Sequence, residues 1–124
     1  MAEAPHPVQQ YWTAIEARDW PALGQTLAPD VVYRVPQTRE LVRGRDACVR
    51  FNAEYPGDWH LEIVRLVAQP GQAASWIDFH LDGDTQAGLA FFVLDEGGLI
   101  TDIADWWPEP YTPPPGREHL VERY

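Results

Sequence analysis

Two strand-like stretches of this 124-residue sequence carry a carboxyl between aromatic neighbours. One is Trp76-Ile77-Asp78-Phe79-His80, the other Ile103-Ala104-Asp105-Trp106-Trp107. A carboxyl enclosed by aromatic side chains is desolvated, which raises its pKa, and a second carboxylate nearby raises one of the pair further. Tuned toward neutrality, it can remove a proton alpha to a carbonyl or return one to an enolate. A tyrosine such as Tyr33 or Tyr11, or a histidine, could donate a hydrogen bond to the developing oxyanion. No HxH, HxxxH or HExxH spacing marks a metal site, and no cofactor is expected. GxSxG, P-loop and dinucleotide-binding fingerprints are also missing. Cys48 is the single cysteine, placed at an apolar helical position where a buried, inert thiol is expected.

Those residues need elements to hold them. Val8, Tyr11, Trp12 and Ile15 recur at helical spacing over 8–18. Asp19 suits the N-cap of a short second helix with Pro21 in its first turn, and Pro29-Asp30 is expected to stop it. Val31–Val35 reads as a strand, Leu41–Arg43 as a brief one, and 46–55 as a third helix ended by Pro56-Gly57-Asp58. From Trp59 onward the period is two. Strands over 59–64, 75–81, 87–94 and 99–107 are joined by tight turns, Gly83-Asp84 among them, into an antiparallel meander. The class is α+β, with helices on one face of a sheet. The expectation is one domain over 1–124, with a core over 8–107 and a Pro-rich tail over 108–124, of which Pro108–Gly116 wraps the surface in polyproline form.

Alternation leaves two assignments of the sheet faces open. In one, Ile77, Phe79 and Leu81 lie under the helices and Trp76, Asp78 and His80 face solvent. In the other, Trp76, Asp78 and His80 line a concavity and the apolar row meets a second subunit. On the last strand neither face is polar throughout, which favours burial of both and a homodimer through the outer sheet face.

A net charge of −10, from 19 acidic residues and 9 basic ones that are all Arg, opposes binding to nucleic acid or anionic membrane. The N-terminal MAEAPHPVQQ lacks the basic and apolar regions of a secretion signal, and no apolar run approaches the ~20 residues of a membrane span. A soluble, cytoplasmic protein is expected. Six Trp exceed what so small a core requires.

The stretches LAPDVVYRVP (27–36), VRGRDACVRF (42–51), ASWIDFH (74–80) and GGLITDIADWWPEPY (97–111), in this order of elements, resemble the SnoaL-like, polyketide cyclase-like branch of the nuclear transport factor 2-like superfamily. The resemblance covers roughly residues 8–111. It implies a cone: a strongly curved mixed or antiparallel sheet wrapped around three helices, with a hydrophobic pocket at one end, and a homodimer. Superfamily members include ketosteroid isomerase, limonene epoxide hydrolase, cyclases, dehydratases and non-catalytic binding modules, so the fold leaves the activity open. The isomerase base precedes Pro at the end of the first long strand; that position is Val35, which cannot take a proton. Of the epoxide hydrolase set, Tyr33, Asp78 and Asp105 match, while Val35 replaces an Asn and Trp76 the relay Arg. A SnoaL-type cyclase needs one acid/base in an aromatic pocket.

The resemblance thus implies Asp105 as acid/base, Asp78 in support and Tyr33 as hydrogen-bond donor. Tyr11, Trp12, Val35, Asn52, Trp76, His80, Phe91 and Trp107 would contact a small hydrophobic or aromatic molecule. The expected activity is cofactor-independent cyclisation, isomerisation or dehydration of a carbonyl compound. The alternative is a non-catalytic ligand-binding module, with epoxide hydrolysis the weakest reading.

Overall fold

The computed structural model describes residues 5–124; the first four residues, part of the segment read as lacking a secretion signal, lie outside them. Helix α1 (Pro7–Ala17) starts where the His6 ring accepts a hydrogen bond from the Val8 amide (3.1 Å) and Pro7 occupies the first turn. It ends at Arg18, in the left-handed conformation at φ 56°. Asp19 caps α2 (Trp20–Thr26) by accepting from the Ala22 amide at 3.2 Å, as its sequence position predicts.

The chain then passes directly into β1 (Leu27–Val35), so Pro29-Asp30 does not stop the helix. Thr26 ends α2 by donating its hydroxyl to the Leu23 carbonyl. Pro29, which has no amide hydrogen, falls where the β1 ladder is interrupted between Leu27 and Val32. Next come β2 (Glu40–Arg43) and α3 (Arg45–Ala53), then four long strands. These are β3 (His60–Gln69), β4 (Gln72–Leu81), β5 (Asp84–Leu94) and β6 (Ile100–Trp106). The sheet order is β2-β1-β6-β5-β4-β3, antiparallel throughout except for β1 beside β6. The turn between β4 and β5 is Asp82-Gly83, one residue earlier than expected, with φ of 53° and 84°. Positive φ at both central residues matches the right-handed twist of the flanking strands.

The face question is settled by α1. The Trp12 indole donates to the Ser75 hydroxyl at 2.9 Å in the core, so the side of β4 that carries Ser75, Ile77 and Phe79 lies under the helices. Ile77 is 1% exposed, whereas Trp76, on the opposite side, is 39% exposed. Trp76, Asp78 and His80 therefore do not line the concave face, and Ile77, Phe79 and Leu81 do not meet a second subunit through an outer surface. On β6 the two-residue alternation breaks between Val93 and Leu94 of its β5 partner, which shifts Ile100 into the core together with Ile103 and Asp105. The segment after Trp106 has no strand, and one short 3-10 turn at Glu118–Leu120. Its Tyr111 is 84% exposed, so the aromatic of the expected wrap is not packed down.

Candidate active site

The inner faces of the strands and the flanks of α1 and α3 enclose a cavity of about 300 Å³. This is at the small end for ligand pockets. Asp105 lies at its wall and is 3% exposed. Its position follows from the sheet register: Asp105 pairs with Ala90, and Ala90 with Ser75, and all three are buried on the inner face of the sheet.

The Tyr33 hydroxyl donates to Asp105 Oδ2 across the parallel β1–β6 pair. Oδ1 has no hydrogen-bond partner, although it is buried. The Trp107 side chain adjoins the carboxyl and favours its charged form without completing a hydrogen bond to Oδ1. Burial outweighs both neighbours and raises the Asp105 pKa from 3.8 to about 6. Among the described residues, no ion pair reaches Asp105. Tyr33 and Tyr11 are both pushed above the usual phenol range, by burial first and the Asp105 charge second. They remain protonated donors. The Tyr33 hydroxyl is committed to Asp105, whereas the Tyr11 hydroxyl has the Asn52 side chain beside it.

Of the other expected contact residues, Trp12, Val35, Asn52 and Trp107 line this cavity, as Tyr11 does. Asn52 also donates to the Cys48 carbonyl at 2.9 Å. Trp76, His80 and Phe91 do not line it. Phe91 is 56% exposed on the outer face, and its register partners Ala74 and Ala104 leave it projecting. His80 is occupied on that face by Thr85 (2.7 Å) and Glu62 (3.0 Å). Asp78 shares the outer side of β4, so it cannot support Asp105. The relay positions assigned to Trp76 and Asp78 are therefore outside the cavity, and the inward residues of that strand are Ile77 and Phe79. No arginine lines the cavity.

Sequence reading missed a group of aromatics. Tyr55 and Trp59 bracket the Pro56-Gly57-Asp58 turn and meet Phe79, with Trp59 stacked on it at 5.8 Å. Phe79 in turn meets Trp107 edge-on at 5.5 Å. Phe51 packs on Tyr33 at 5.2 Å. The signal was present in the row Ile77-Phe79, which shares the parity of Ser75. Thr38, Glu40 and Gln86 add polar groups to the lining. Cys48 is buried, and burial raises its thiol to about 11, so it is inert at neutral pH. Among the described residues, no three His, Cys, Asp or Glu side chains are grouped to hold a metal ion.

Comparison with known proteins agrees with this architecture. The SnoaL-like domain family matches residues 8–103. A protein from Kribbella flavida DSM 17836, provisionally described as a ketosteroid isomerase, is 42% identical. The match covers 95% of this chain and 87% of that one, with a TM-score of 0.92. Two more distant structures share the fold. A provisionally described SnoaL-like polyketide cyclase from Shewanella denitrificans OS-217 is 14% identical, covering 82% of this chain and 88% of its own, at TM-score 0.71. An LEH-like epoxide hydrolase from M. tuberculosis is 18% identical, covering 82% and 80%, at TM-score 0.67. No curated protein sequence matches. With its cone-like mixed sheet and a family match over most of its length, the chain belongs to the SnoaL-like domain family of the nuclear transport factor 2-like fold.

Proposed function

We propose that the cavity binds a small, largely apolar carbonyl compound and that Asp105 moves a proton on it, without a cofactor. The observation that carries this reading is the state of the Asp105 carboxyl: buried, held through Oδ2 by Tyr33, unpartnered at Oδ1, and poised near pH 6. A group so poised is a competent base and, once protonated, a competent acid at neutral pH. Oδ1 takes a proton from the carbon alpha to the carbonyl. The C–H electron pair forms the enolate double bond, and the carbonyl oxygen gains the charge. The Tyr11 hydroxyl donates to that oxygen, and Asp105 returns the proton to the same carbon or to a conjugated one. Isomerisation, cyclisation and dehydration all begin with this step.

The description of the 42% identical Kribbella protein supports the isomerase form of this reading. Val35 and the apolar pair Ile77 and Phe79 argue against a second base and against an epoxide hydrolase relay. A binding module without turnover is the second reading, favoured by Asp105 being the only buried carboxyl of the cavity lining. The two are separated by proton exchange. Incubated with 2-tetralone in deuterated buffer, the unaltered protein is expected to accelerate loss of the ketone's alpha-proton NMR signals, and Asp105→Asn is expected not to. Binding without exchange by the unaltered protein supports the module.

The protein is further proposed to be a cytoplasmic homodimer through the outer sheet face. Trp76, Leu89 and Trp106 are register neighbours there, and Phe91 and Val93 extend the apolar surface. No helix among the described residues is long and apolar enough to cross a membrane.

A further inference from the structure

Gly88 is an anomaly in the middle of β5. It sits within an eleven-residue strand, Asp84–Leu94, and its backbone is not in a conformation that favours glycine. A strand-interior glycine weakens the strand, and where no turn or bulge requires it, it often marks a close approach of another group. Here that group is Trp107. A Cβ on Gly88 would lie 2.8 Å from Cζ3 and 3.0 Å from Cη2 of the indole, and 3.2 Å from Cγ1 of Ile77. Trp107 follows β6 directly, yet its ring reaches Phe79 on β4, with ring centroids 5.5 Å apart. The strand between is β5. The indole therefore lies across β5, over the backbone of Gly88, and Ile77 closes the other side of that position through its register pairing with Gly88.

This arrangement has two consequences at the site. The indole lies low on the sheet, so the cavity retains the depth in front of it. Its amide is held by the Gln37 side chain, which fixes the root of the side chain while the far edge of the ring rests on Gly88. The same indole adjoins the Asp105 carboxyl.

We propose that Gly88 is a specificity-determining and positioning residue: by lacking a side chain it lets Trp107 lie flat as a cavity wall, which sets the width of ring the cavity accepts and holds the indole beside Asp105. This rests on the reading of the cavity as a ligand site. A side chain at 88 lifts the indole edge into the cavity. Wide, flat ligands are then excluded while narrow ones still enter, and the carboxyl loses a neighbour that favours its charge.

The test compares cyclohexanone with the bicyclic 2-tetralone, with binding followed by NMR line broadening and Asp105 followed by carbon-13 NMR titration. In Gly88→Ala, 2-tetralone affinity is expected to fall at least tenfold and cyclohexanone affinity less than threefold, with the Asp105 midpoint moving upward. The double variant Gly88→Ala with Trp107→Phe removes the far edge of the indole. It is expected to recover 2-tetralone binding, which separates this role from a folding defect. Equal losses for both ketones, no loss for either, or no recovery in the double variant overturns the proposal while leaving the ligand site intact. Failure of the unaltered protein to bind either ketone overturns the proposal together with the reading of the cavity beneath it.

Discussion

The Tyr33 hydroxyl donates its hydrogen bond to Asp105 Oδ2, joining two residues 72 positions apart in the sequence across the one parallel strand pair of the sheet. That bond opposes the effect of burial on Asp105. Without it the carboxyl has lost a donor that favours its charged form. Tyr33→Phe is therefore expected to move the Asp105 midpoint clearly above 6, as read by carbon-13 NMR of the carboxyl. An unchanged midpoint would remove Tyr33 from the control of this group.

Burial of Asp105 also has a stability consequence, and its sign is definite. The unfolded carboxyl titrates near 3.8 and the folded one near 6, so between these values the native state holds a proton the unfolded state has lost. Stability falls as pH rises through that window and is flat above it. At about 1.4 kcal/mol per pH unit the difference approaches ~3 kcal/mol, an upper bound before lost hydrogen bonding is counted. Asp105→Asn should therefore be more stable than the unaltered protein at pH 7.5, with the gap closing toward pH 4. Urea melts at the two pH values check it, and a variant equally destabilised at both would contradict it.

The bond from Trp12 to Ser75 anchors α1 onto the inner face of β4. Trp12→Phe keeps most of the apolar contact but leaves the Ser75 hydroxyl unpartnered in the core. A buried polar group without a partner costs about 1–3 kcal/mol. Chemical denaturation should show a loss of that size, and a change within about 0.5 kcal/mol would mean that water replaces the indole.

On the outer face, Phe91 stands between two alanines, and its neighbours Trp76, Leu89 and Trp106 are partly exposed. A charge placed there should prevent two sheets from meeting. Phe91→Asp is expected to halve the mass found by light scattering at micromolar concentration, with the fold unchanged by circular dichroism. An unaltered protein that already scatters as a monomer would sink the dimer.

Much of this molecule is legible in its sequence, because local rules set much of it. The Asp19 cap, the apolar spacing of α1 and the period-two strands each follow from a few neighbouring residues. Asp105 is legible as a carboxyl between apolar positions, and burial accounts for its raised pKa. What alternation does not determine is which row of β4 turns inward. Trp76 and Asp78 suggest an aromatic pocket with a carboxyl, but the deciding partner, Trp12, is 63 residues from Ser75. A small serine opposite a helix tryptophan carries little local signal. The Asp82-Gly83 turn shows the same limit in miniature, since Gly83-Asp84 differs from it by one residue and only the strand register separates them. Tyr55, Trp59 and Phe79 come together through tertiary packing, and the alternation of β4 marks Phe79 alone of the three.

Asp105 is proposed to move a proton in this cavity. The most direct test is the pH dependence of alpha-proton exchange on 2-tetralone, measured for the unaltered protein and Asp105→Asn. The protein-dependent rate is expected to rise through a midpoint near pH 6 as Asp105 ionises, and to fall by about 10²–10⁴-fold in the variant while ketone binding persists. A rate that is the same in both proteins, or that shows no inflection near 6, would contradict it.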